Sequence, residues 1–212
     1  MPRTTCLPPG AVPAGGTPPQ AADTVPPADP PRVAPLRPDE WNRDQARILA
    51  PIAATGPVYN IVATLARHPD LYRAWNDFAT YILEQSTLPP RHRELVILRI
   101  GWLCRSEYEF AQHRRLAHAV GLSDAEIDRV TLGPEAPGWT GFESLLLRAA
   151  DELHHQRTIT DTTWRALVTQ YDERQLLDLV FTAGEYTLVS TVLNACGVPL
   201  DDGLRGFPAT SR

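Results

Sequence analysis

Cysteine is scarce in this chain of 212 residues: there are three, Cys6, Cys104 and Cys196. They are too few and too scattered for a disulfide framework. An excess of positive charge is also missing. Twenty basic residues face 25 acidic ones, for a formal net charge of −5. Nothing in that balance draws the chain to nucleic acid or to an anionic membrane surface. No uninterrupted apolar stretch approaches the ~20 residues needed to cross a bilayer. After Arg3, the prolines Pro8, Pro9 and Pro13 and Gly10 break any apolar segment of a signal peptide. No run alternates like a half-buried strand. No two His or Cys positions have tight ligand spacing, Cys104 and His113 being nine apart, so no metal is expected. These absences leave a cytoplasmic protein without nucleic-acid or membrane partners as the expectation.

What is present divides the chain. Twelve of the 21 prolines fall in residues 1–40, which contain no aromatic residue. Such a segment cannot bury enough apolar surface to offset its ordering entropy, so residues 1–38 read as a Pro-rich disordered tail. From Trp41 onward the pattern is helical. The spacing predicts helices from Arg43 up to Pro51, over 57–67, from Pro69 to about Gln85, and from Pro90 through Leu103. Others follow Ser106, Ser123, Phe142 and Thr160, and the last runs over about 173–196 to Gly197. The chain is therefore all-α, with about eight or nine helices in a domain over 39–202 and a loose tail over 203–212. The last helix is apolar on most faces, which calls either for a central place in the core or for subunit packing.

Chemistry concentrates in residues 89–122. Ser106, Glu109 and His113 are spaced i, i+3, i+7 and share one helix face. Glu109 and His113, four apart, can meet. Histidine titrates near neutrality, and a carboxylate partner fixes its tautomer and raises its pKa. That is the minimum equipment for moving a proton on and off carbon.

This stretch resembles the carboxymuconolactone decarboxylase family, which shares the AhpD-like fold. The residues that carry the resemblance are Glu94 in RELVILR, the block Glu107-Tyr108-Glu109-Phe110, and His113 three residues on. PVYNIVATLARHPDLYRAW, LLRAADELH, LLDLVFTAGEYTLVS and the late Asn194 extend it over roughly residues 41–200. The peroxidase branch of the fold carries a glutamate, a Cys-x-x-Cys and a histidine. Here the glutamate is Glu94 and the histidine His113, while Ser106 and Glu109 stand at the two cysteine positions, so the redox dithiol is absent.

The resemblance thus implies a cofactor-independent proton-transfer enzyme of the decarboxylase type, acting on a small carboxylated or lactone substrate. His113 would be proton donor or acceptor, Glu94 would orient it, and Glu109 is a second acid–base candidate. Tyr108, Ser106 and Cys104 are pocket candidates. One of Arg91, Arg93, Arg99 and Arg105 would hold a substrate carboxylate, since the arginine fork matches that group. The resemblance also implies a homo-oligomer, a trimer or a multiple of one. An AhpD-like thiol peroxidase and a non-catalytic ligand-binding protein are the competing readings.

Overall fold

The computed structural model describes residues 30–208. Among them the chain forms nine α-helices and no strand. They are α1 (Arg43–Ala53), α2 (Asn60–Leu65), α3 (Pro69–Thr80), α4 (Pro90–Leu103), α5 (Glu107–Ala119), α6 (Asp124–Val130), α7 (Gly141–Gln156), α8 (Asp161–Leu167) and α9 (Glu173–Cys196). A π-helical turn, Tyr81–Gln85, extends α3.

The starts of these helices are written locally. Asn42, Ser123, Thr140 and Asp172 each close a capping box with a Gln or Glu three residues on. Each box satisfies two otherwise orphaned groups at a helix start. Pro69 and Pro90 open α3 and α4, where a missing N–H costs nothing. Helix α1 does not stop at Pro51 as expected but runs through it to Ala53. The proline sits in the last turn, so only the end of the hydrogen-bond ladder is disturbed.

Helix α4 is the axis of the fold and packs against α5, α7 and α9. From Glu94 to Gly101 every residue of it is buried. On one side Val96, Ile97 and Ile100 meet Leu146, Ala149, Ala150, Leu179 and Ala183. On the other, Leu95 and Leu98 meet Phe110, Ile127, Val130 and Leu147. Helix α9 has the length and hydropathy of a membrane span, yet 56% of its most apolar window is buried inside the protein. That part of the helix takes a core position, while Leu177, Phe181 and Leu188 stay exposed.

Both tail boundaries move. Most of the stretch expected as a disordered tail, residues 1–29, lies outside the described residues, but its last part is docked. The Val33 and Leu36 N–H groups donate to the carbonyls of Cys196 and Ala63. The Leu36 side chain is buried with Leu49 and Ala66. One buried leucine, with backbone hydrogen bonds at Val33 and at Leu36 itself, orders a proline-rich segment whose φ angles are already restricted. At the other end, Phe207 packs edge-on against Trp102 and Phe110, at 5.0 and 5.3 Å between ring centres, so the segment after 203 is not loose there. Leu36→Ala is accordingly expected to destabilise the protein by about 2 kcal/mol, the low end of the range for buried leucine truncations. Urea unfolding checks this, and an unchanged midpoint would return residues 30–38 to the status of a dispensable tail.

Candidate active site

The site is built at the crossing of α4 and α5. Cys104 caps the end of α4, Arg105 takes a left-handed conformation with φ 56°, and Ser106 caps the start of α5. This one-residue reversal folds α5 back along α4 and sets His113 opposite Glu94. The Asn194 side chain of α9 donates to the Cys104 carbonyl at 2.8 Å and so holds the end of α4.

Glu94 is fully buried, and its Oε2 lies 2.7 Å from His113 Nδ1. His113 Nε2 lies 3.0 Å from Glu109 Oε1. The imidazole is thus clamped between two carboxylates, one from each helix. The Tyr186 ring closes its flank edge-on at 4.7 Å. Arg93 Nε donates to the second oxygen of Glu94 at 3.3 Å. Burial by itself would push the His113 pKa down. The charge of Glu94 and the hydrogen bonds to Glu109 and Glu94 outweigh it and raise the group to about 9. Carboxylates only accept, so both ring nitrogens donate and the ring is an imidazolium at neutral pH.

The structure therefore unites three of the expected residues, Glu94, Glu109 and His113. Ser106 sits at the N-cap position of α5 as expected, but its side chain makes no capping bond. Its Oγ is buried without a hydrogen-bond partner among the described residues. Tyr108 is occupied elsewhere: its hydroxyl accepts from the Ile61 N–H at 3.1 Å and donates to Asp201 at 2.5 Å. It fastens α2 and the C-terminal segment to α5, which is the packing role that its sequence left open. The Cys104 sulfur lies 3.6 Å from His154 Nδ1. Burial pushes the thiol up, while burial and the neighbouring His155 and Arg157 push His154 down to about 4. Both groups are neutral near pH 7, so this pair is no thiolate–imidazolium couple.

The arginines separate as well. Arg91 is bonded to Glu126 and Glu143. Arg99 is bonded to Asp151. Arg93 alone of these three contacts the clamp. Two residues on the flank went unnoticed in the sequence, Glu185 and Tyr186. Glu185 is 4% exposed and accepts from Trp75 Nε1 at 2.6 Å. Burial raises its pKa, and the Glu109 charge adds to that, against the lowering hydrogen bond from Trp75. The available signal was a lone acid in the apolar stretch LVFTAGEYTLVS.

Residues 69–152 match the model of the carboxymuconolactone decarboxylase family. That span runs from α3 into α7 and contains Glu94, Ser106, Glu109 and His113, so the resemblance read from these residues stands. Among solved structures, an AhpD-core, peroxidase-related protein from Ralstonia eutropha JMP134 superposes with a TM-score of 0.67 at 18% identity, over 80% of this chain and 93% of its own. A peroxidase-related protein from Silicibacter sp. TM1040 gives 0.67 at 16% identity, over 89% and 96%. The debrominase Bmp8 gives 0.66 at 12% identity, over 80% and 92%. At these identities the likeness is one of fold, and the fold is AhpD-like. No curated protein sequence matches the chain.

Proposed function

Starting from a chain that carries a carboxymuconolactone decarboxylase family segment on an AhpD-like fold, we propose a cofactor-independent proton-transfer enzyme acting on a small carboxylated or lactone substrate. The observation that carries the reading is the clamp: a buried imidazole with Glu94 on Nδ1 and Glu109 on Nε2. Because both ring nitrogens are engaged, His113 does not meet substrate directly. Glu109 is the terminal group, and the oxygen that the imidazole does not use exchanges the proton with carbon.

Loss of CO₂ from the substrate carboxylate leaves the bonding pair on the ring as a dienolate. The Nε2 proton of the His113 imidazolium passes through the Glu109 carboxylate to the carbon, and the neutral ring is then reprotonated from solvent. Glu94 holds the Nδ1 proton and, by its charge, favours return of the ring to the cationic state. The net reaction consumes one proton from solvent and releases one CO₂. Arg93, beside Glu94, is the arginine assigned to the substrate carboxylate.

A glutamate at the position of a dithiol cysteine supports this reading over a thiol peroxidase, as does the neutral state favoured for Cys104. A cytoplasmic setting and a homo-oligomer, trimer or multiple, belong to the same proposal. The test is incubation with a carboxylated muconolactone, following CO₂ release and ultraviolet absorbance. Folded protein that turns over none of it would refute the decarboxylase reading.

A further inference from the structure

A cleft of about 350 Å³ opens between α3 and α9, lined by Phe78, Val180, Phe181, Gly184, Glu185 and Leu188. It is apolar except for one group. The Glu185 side chain is buried, its Oε1 is taken by the Trp75 indole, and its Oε2 has no hydrogen-bond partner among the described residues. Leaving a carboxyl oxygen buried and unpaired is costly. No ion pair to Glu185 is formed among the described residues. Phe78 and Phe181 stand edge-to-face beside it, with ring centres 6.0 Å apart.

A second, independent feature marks the same place. Gly184 lies in the middle of a 24-residue helix, where glycine is about 1 kcal/mol worse than alanine. No backbone requirement explains it, because its φ is not in the left-handed region. A Cβ built there meets nothing within 4 Å. The missing side chain leaves room in the cleft, one turn from both Phe181 and Leu188.

We propose that this cleft binds a small aromatic or aliphatic ammonium, its cationic head on Glu185 Oε2 and its apolar body between Phe181 and Leu188. A cation supplies the donor that Oε2 lacks and favours the ionised carboxylate against the burial that raises its pKa. Aromatic faces add attraction for an ammonium where it is shielded from water. A carboxylate ligand would meet Glu185 with like charge, and a neutral alcohol would supply a donor without charge. This assignment does not depend on the proton-transfer reading, since it uses neither His113 nor Glu109.

Three near-isosteric probes test it on the full chain by isothermal titration calorimetry at pH 7: benzylamine, benzyl alcohol and benzoate. Benzylamine is expected to bind saturably, and each of the others at least about tenfold more weakly, the scale of a charge-assisted hydrogen bond. Glu185→Gln, which can still accept from Trp75, should abolish the preference for the amine. Gly184→Leu, which fills the cleft from α9 with an apolar side chain, should abolish binding of all three probes. Thermal melts followed by circular dichroism confirm that both variants fold. Equal affinity for amine and alcohol would overturn the proposal, as would benzylamine binding unchanged in Glu185→Gln. So would a second copy as the occupant: no amine binding by the wild type, together with an assembly that dissociates in Phe181→Glu.

Discussion

Replacing His113 with alanine is expected to lower turnover of a carboxylated lactone by roughly 10²–10⁴-fold, the scale for removing a positioned acid or base. The geometry explains why so much rests on one ring. Glu109 ends the relay, but without Nε2 at 3.0 Å it has no source for the proton that it passes on. The wild-type pH profile gives the sign. His113 has its pKa raised to about 9, so the donating imidazolium persists through neutrality and activity falls as pH rises through that value. Stability follows the same sign. The contribution is fully present below the unfolded histidine pKa of about 6.5 and is lost as pH climbs through the folded value.

Glu94→Gln removes the charge that holds the imidazolium, so the alkaline limb should move to lower pH as turnover falls. A residue with only a structural role would leave that limb where it is. Cys104→Ser should retain most activity. His113→Ala also leaves two buried carboxylates facing each other, so its fold is checked by circular dichroism, and added imidazole should restore part of the rate. Full activity in His113→Ala would mean that the clamp is structural. Loss in Cys104→Ser with retention in His113→Ala would transfer the chemistry to the thiol.

The sequence was most legible where local rules and packing agree. The start of α6 followed from Ser123, because a capping box is a four-residue event; the equally local boxes at Asn42, Thr140 and Asp172 were not read from the sequence. Glu109 and His113 were legible as a pair because a helix places residues four apart on one face. Glu94 was reachable only through the resemblance, because its approach to His113 depends on the single left-handed residue Arg105 between α4 and α5, which no periodicity encodes. The docking of Leu36 and Phe207 was hidden for another reason. Each is one apolar residue in a polar or proline-rich setting, and its burial is decided by the groove that it meets. The arginines show the same limit. Their spacing could not separate a ligand-binding guanidinium from a structural one, and only the carboxylates on α6 and α7 do so.

Arg99 is the structural extreme of that set, and Arg99→Ala is expected to cost about 3–5 kcal/mol, the range for removing one partner from a buried charged network. The guanidinium is 4% exposed. Its Nε and one terminal nitrogen reach Asp151 at 2.5 and 3.0 Å, and the other terminal nitrogen donates to the carbonyls of Val130 and Thr131 at 2.9 and 3.1 Å. It therefore ties α4, the end of α6 and α7 together. Gly133 accommodates it: its φ is +91°, and a Cβ there would stand 3.0 Å from the guanidinium. Alanine at 99 would strand Asp151 and two carbonyls at once. Lysine would recover little, because a single ammonium cannot copy the planar fork. Urea unfolding at constant m-value measures the loss, and a cost below about 1 kcal/mol would show that the network behaves as a solvated surface pair. Turnover per folded molecule separates this role from substrate binding. It should be nearly unchanged in Arg99→Ala and depressed, chiefly through KM, in Arg93→Ala. The reverse pattern would move the substrate carboxylate to the Arg99 side of α4.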